Sequence, residues 1–191
     1  MSTTNLFWPV FKNIEKEITS LSNDIHFDDK QLSIYSVKIA ELLLRCVVEI
    51  EAISKDLYFK NGGTKTDGKD LFFDTDCIDL LETRWMLSKK QIIVSSTNFH
   101  FQNDENKMLY PLKKANKRGS SGADWAKAYQ AVKHNRVGNL KDANIKHLIR
   151  AAAALFMLNL YYRDDVFELG KESQNNFTHS LSDVFVEWRW T

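Results

Sequence analysis

Lys133-His134-Asn135-Arg136 places three cations or potential cations in four consecutive positions, and Lys127 stands upstream in the same helical pattern. This combination suits phosphate chemistry. Lys127 and Lys133 supply charge, and the fork of Arg136 can grip two oxygens at once. His134 can move a proton near neutral pH. The surroundings reinforce the signal: residues 107–150 contain eleven Lys/Arg and two acids, Asp124 and Asp142, whereas the rest of the chain has 15 basic and 23 acidic residues. A net charge of +1 therefore conceals one quarter of about +9 and a remainder of about −8. Segregated charge of this kind creates a local positive field.

The elements that must position these groups can be read from periodicity. Asp124 begins a helix predicted to run through Arg136, broken by Gly138-Asn139. With Trp125 as origin, Tyr129, Val132, Lys133 and Arg136 fall on one side, and Lys127, Gln130 and His134 on the opposite side. Asp142 then caps a helix predicted over 143–166, whose core face carries Ile145, Leu148, Ile149, Ala152, Leu155, Phe156 and Leu160. The free N–H groups at its start favour anions, with Lys141 and Lys146 at the same end, although Asp142 occupies part of that end itself. A phosphodiester held there would also meet the loop carrying Lys113, Lys114, Lys117 and Arg118. A structural alternative stands beside each assignment. Cations in a last turn complement the helix dipole, and Trp125 and Tyr129 are core candidates.

Glu51 is the one acid predicted on the apolar face of its helix. A carboxylate facing a core needs a partner. Glu51 is expected to pair with Arg136 or Lys133 and so to position the cluster, with Tyr129 beside it; a local i,i+4 pair with Lys55 is the alternative.

The remaining chain supplies a frame. Seven Gly and two Pro in 191 residues argue against many short strands, and 43% apolar content is enough for a core. Helices are predicted over 9–23, 30–59 and 74–87, the second central in a bundle. Gln91–Val94 is rich in β-branched residues, Asn98–Phe101 and Val184–Trp190 alternate, and all three read as strands. The expected fold is a single, mainly α domain. It is a four- or five-helix bundle with a small antiparallel β element from about 90–102, a hairpin, and 184–190. Cys46 and Cys77 read as reduced, buried thiols. No signal peptide or membrane span is seen, so a cytoplasmic protein is expected. No glycine-rich nucleotide loop, zinc spacing or serine-nucleophile motif is present, and no cofactor or metal is expected. Asp74/Asp76/Asp79 and Asp164-Asp165 read as caps and solvated faces rather than cation ligands.

Glu-Ile-Glu-Ala-Ile-Ser-Lys at 49–55, and Ala-Tyr-Gln-Ala-Val-Lys-His-Asn-Arg at 128–136 followed by an alanine-rich helix, resemble the HEPN superfamily, helical domains of prokaryotic defence and toxin–antitoxin systems. The resemblance covers the helical part, to about residue 166. Many such proteins are dimeric, metal-independent endoribonucleases with the signature Arg, four to six residues, His. It implies that His134 is the catalytic histidine. Lys127 stands where the arginine would be, with six residues between; lysine keeps the charge and loses the bidentate fork. In the implied reaction His134 moves the 2′-hydroxyl or leaving-group proton, while Lys127, Lys133 and Arg136 stabilise charge on the phosphate, giving a 2′,3′-cyclic product. The expected function is RNA or nucleotide-phosphate binding, extended to RNA cleavage if the histidine is competent. The alternative is a non-catalytic homodimeric interaction module, an antitoxin or scaffold with a protein partner.

Overall fold

A helix that is apolar around its whole circumference has to be surrounded by protein. The helix from Ile145 to Tyr162 is such a case: every residue from Ala151 to Tyr161 is buried. A computed structural model describes residues 5–163 and 181–188, and in it this helix is the axis of the molecule. Among the described residues there are seven α-helices: α1 (Phe7–Asp24), α2 (Val37–Lys60), α3 (Asp79–Trp85), α4 (Asp104–Lys107), α5 (Asp124–His134), α6 (Arg136–Asn139) and α7 (Ile145–Tyr162). A π-helical turn, Phe73–Ile78, leads into α3. Mainly helical architecture with a small antiparallel sheet is as expected.

The long helices follow their stripes. Phe11, Ile14 and Ile18 bury one face of α1, and Asn5 caps it by accepting from the N–H groups of Phe7 and Trp8. Pro9 falls in the first turn, where its missing N–H costs nothing. Ser36 caps α2 through the N–H of Ile39, so this helix begins seven residues later than expected. Ala40, Leu43, Val47, Ile50, Ser54 and Leu57 face inward as the sequence predicts. Both α1 and α2 pack on α7, and α2 also meets α3, α5 and the π-helical turn, so it is central as expected, with α7 beside it.

The strands are β1 (Phe27–Asp28), β2 (Gln91–Val94), β3 (Phe99–His100), β4 (Met108–Leu109) and β5 (Phe185–Trp188). The sheet order is β4-β2-β5, both pairings antiparallel, with Ile92 opposite Leu109 and Glu187. The C-terminal strand joins Gln91–Val94, as its alternation predicts. The hairpin expected over 90–102 does not form. β3 pairs instead with β1, in parallel, Phe27 opposite Phe99. Phe185 stacks on Phe156 of α7, which fastens the sheet to the helices. Residues 164–166 of the last predicted helix, the Asp164-Asp165 pair and positions 189–190 of the last strand lie outside the described residues.

Both cysteines are free and buried, and burial pushes each thiol up to about 12. No described helix is long and apolar enough to cross a membrane.

Candidate phosphate-binding cleft

Helix α5 is built to present one face inward and one outward. Trp125, Ala128, Tyr129 and Val132 are buried, and the Trp125 indole Nε1 donates to the Pro111 carbonyl at 2.8 Å. Trp125 and Tyr129 are therefore core, as the structural alternative holds. The outer face borders a cleft of about 630 Å³ between α5, α2, the chain at 71–74 and the turn at 117–122. Lys127, Gln130 and Lys133 line it from α5, Glu51 and Lys55 from α2, and Lys117 and Arg118 from the turn. Five cations thus meet two carboxylates, Glu51 and Asp74. The wheel sets Lys133 apart from Lys127 and Gln130, but the cleft is wide enough to receive all three.

The five cations are not equally free. Arg118 is committed: its Nε and Nη2 donate to the two oxygens of Asp74 at 3.0 and 2.6 Å, and its guanidinium lies 3.8 Å from the centroid of the Phe72 ring. Asp74 is mostly buried. Its burial alone would raise its pKa, but the Arg118 hydrogen bonds, the Thr75 N–H and the Arg118 charge together outweigh that and hold it below the usual carboxylate value. Lys127 pairs with Asp124 at 2.8 Å, but both side chains are about half exposed. Such a pair is worth about 0–1 kcal/mol, so a phosphate can displace it. Lys133 leans toward the Tyr129 ring, 5.3 Å from its centroid. Among the described residues Lys55 and Lys117 form no ion pair. Lys117 belongs to the loop expected from sequence to meet a phosphodiester, whereas Lys55 is expected only as the alternative partner of Glu51.

Glu51 does not pair with Arg136 or Lys133, nor with Lys55, contrary to expectation. It acts on Lys133 both as a nearby charge and through Tyr129. Burial raises the Tyr129 pKa, and the nearby Glu51 carboxylate raises it further. The same phenol raises the pKa of Lys133. Glu51 and Tyr129 therefore border Lys133 without an ion pair.

Two expectations about position change. First, α5 ends at His134, not at Arg136. Asn135 leaves helical geometry (φ −148°, ψ 79°), and its side chain accepts from the Gly138 N–H at 3.1 Å, capping α6. Arg136 consequently sits on a separate one-turn helix, exposed and outside the cleft. His134 is also exposed; it directly follows Lys133 but does not line the cleft. Second, the N-terminus of α7 offers no anion site. The Ile145 N–H donates to Ile34, the Lys146 N–H to Leu32 and the His147 N–H to the Asn144 side chain. Asn144, not Asp142, is the cap. Lys141 and Lys146 stand at this closed end and do not line the cleft. Lys113 and Lys114 line a smaller hollow, about 270 Å³, with Arg150 and Asp124, on the other side of Gly122.

A larger hollow, about 860 Å³, lies between the end of α2, the 61–72 loop and α3. Lys65, Lys69 and Arg84 face Asp70, Asp76 and Asp79 there, so its charges balance and it concentrates no field. Asp76 is spent on the Phe72 N–H and Asp79 on the Asn116 amide. Among the described residues no group of three or more His, Cys, Asp or Glu is placed to hold a metal ion. Comparison of the chain with protein-family models, with curated proteins and with solved structures gives no match.

Proposed function

We propose that this chain binds RNA, or a nucleotide through its phosphate, in the cleft between α2, α5 and the 117–122 turn. One observation carries the reading: Lys55, Lys117, Lys127 and Lys133 converge on a hollow whose two carboxylates are Glu51 and an Asp74 already engaged by Arg118. Excess positive charge in a concave site favours an anionic ligand. The likeness of 49–55 and 128–136 to the HEPN superfamily supports RNA as the bearer of that phosphate.

The cleft favours holding a phosphodiester over cutting it. Cleavage as the likeness implies would need Lys127 and His134 at one phosphate. Lys127 lines the cleft and His134 does not. The test is fluorescence anisotropy with a labelled oligouridylate at low salt, on wild type and on a Lys117→Ala/Lys127→Ala/Lys133→Ala variant. Wild type binds and the variant does not; absence of wild-type binding at low salt defeats the reading. RNA incubated with EDTA, with wild type and His134→Ala side by side, checks cleavage. RNA degraded by wild type and left intact by the variant would make the protein a nuclease.

A second reading has one observation in its favour. Val137 is 97% exposed, flanked by Arg136 and Gly138 at the tip of α6. An apolar side chain so placed suits contact with a second copy or another protein, the interaction-module alternative. A dimer in sedimentation velocity that Val137→Asp dissociates would support it; a monomer at every concentration would remove the homodimer.

A further inference from the structure

Arg118 was expected to bind phosphate, but its surroundings suit a different partner. Both carboxylate oxygens of Asp74 occupy the guanidinium edge, at 3.0 and 2.6 Å, and neutralise its charge. The Phe72 ring covers one guanidinium face at 3.8 Å. Yet the Arg118 side chain remains 46% exposed and borders the cleft. With the Nε/Nη2 edge and one face taken, the second face and the Nη1 end are left to meet solvent. A guanidinium locked in plane and charge-matched to a carboxylate is a poor phosphate anchor and a good stacking platform. The position is fixed from below as well. Gly122 closes the 117–122 turn by donating its N–H to the Gly119 carbonyl at 3.1 Å, and a Cβ on Gly122 would lie 2.9 Å from the Lys117 carbonyl oxygen. Gly119 itself has φ +63°, a conformation that favours glycine. The turn therefore holds Lys117 and Arg118 side by side, one cation without an ion pair among the described residues and one presented flat.

We infer that the cleft takes an unpaired nucleotide, with its base stacked on the open face of Arg118 and its phosphate among Lys117, Lys127 and Lys133. This rests on the reading of the cleft as a phosphate site and specifies what that phosphate is attached to. The volume, about 630 Å³, lies within the roughly 300–1,000 Å³ that suits a ligand of nucleotide size. A base inside a duplex has both faces covered and cannot reach the platform; an unpaired base can. Stacking accepts any base, so little sequence preference is expected.

The experiment compares three labelled ligands of matched phosphate charge by anisotropy: single-stranded oligouridylate, an abasic ribose-phosphate chain of the same length, and duplex RNA. Wild type should bind the oligouridylate about tenfold more tightly than the abasic chain. The duplex should bind no better than the abasic chain. Arg118→Lys keeps the charge and removes the plane, and should bring the base-to-abasic ratio close to one; Phe72→Ala should lower the same ratio by removing the support under Arg118. Thermal melting establishes that the variants are folded, and the wild-type comparison needs no variant. Equal, salt-sensitive binding of base-bearing and abasic chains overturns the stacking inference and leaves the phosphate site standing. Duplex binding tighter than single-strand binding also overturns it. No binding of any of the three at low salt overturns both.

Discussion

Two lysine-bearing parts of the basic quarter look alike in sequence and differ in the folded chain. One is the α5 cleft with Lys117, Lys127 and Lys133; the other is the start of α7 with Lys141 and Lys146. At the α7 end the backbone donors are consumed, by Ile34, Leu32 and the Asn144 side chain, and the lysines stand over a closed surface. At the cleft, side chains from α2, α5 and the 117–122 turn converge, and only Arg118 is held by a buried carboxylate. The difference teaches that a cation-rich helix start becomes an anion site only if its N–H groups are left unmet. Here chain from 32–34 meets them first.

The comparison can be broken in several places. The largest effect is expected from Lys117→Ala/Lys127→Ala/Lys133→Ala, which should weaken RNA binding about 10²-fold at ~0.1 M salt if each lysine neutralises one phosphate. A titration monitored by anisotropy measures this, and a loss of less than about fivefold would place the site elsewhere.

Asp74→Asn should come next, through stability. It removes the charge from a bidentate pair in which Asp74 is mostly buried, at a cost of about 1.5–3 kcal/mol by urea denaturation. The pH dependence follows from the sign of the shift. The folded Asp74 pKa lies below the ordinary carboxylate value of 3.8, so the stabilisation is complete above that value. It is lost as the pH falls from there through the folded pKa. Wild type should therefore lose more stability than Asp74→Asn on acidification below about pH 4, and parallel curves would show that the Asp74 carboxylate contributes nothing.

Asn144→Ala should cost about 1 kcal/mol of stability by removing the cap on the His147 N–H. RNA affinity should hold. The smallest effect is expected for Lys141→Ala/Lys146→Ala, less than about twofold in RNA affinity, because long-range screened charge is all these lysines contribute. A loss there comparable with that of the cleft variant would reverse the ranking of the two regions.

What was legible in the sequence was local. The stripes of Phe11, Ile14 and Ile18, of Ala40 to Leu57, and of Ile145 to Leu160 predict three helices that form, and alternation at Val184–Trp190 predicts the strand that joins β2. Local period failed where a single side chain intervenes. Val132 to Arg136 continues a helical pattern, and nothing in it shows that Asn135 will turn its amide onto Gly138 and end α5 one residue after Lys133. Partners distant in sequence were out of reach. Asp74 and Arg118 are 44 positions apart, and the Phe27–Phe99 pairing that replaces the hairpin joins two strands of only two residues each. Lys55 carried a usable signal, since it lies one turn after Glu51 on the face of α2 that meets α5. Sequence alone assigns it no more than a pairing with that glutamate.

The most direct test of the cleft is the slope of log binding constant against log salt concentration for wild type with single-stranded RNA. Three neutralised phosphates predict a slope of about −2, falling toward zero when Lys117, Lys127 and Lys133 are removed. A slope that stays near −2 in the triple variant, or a wild type that does not bind RNA at low salt, would contradict the account.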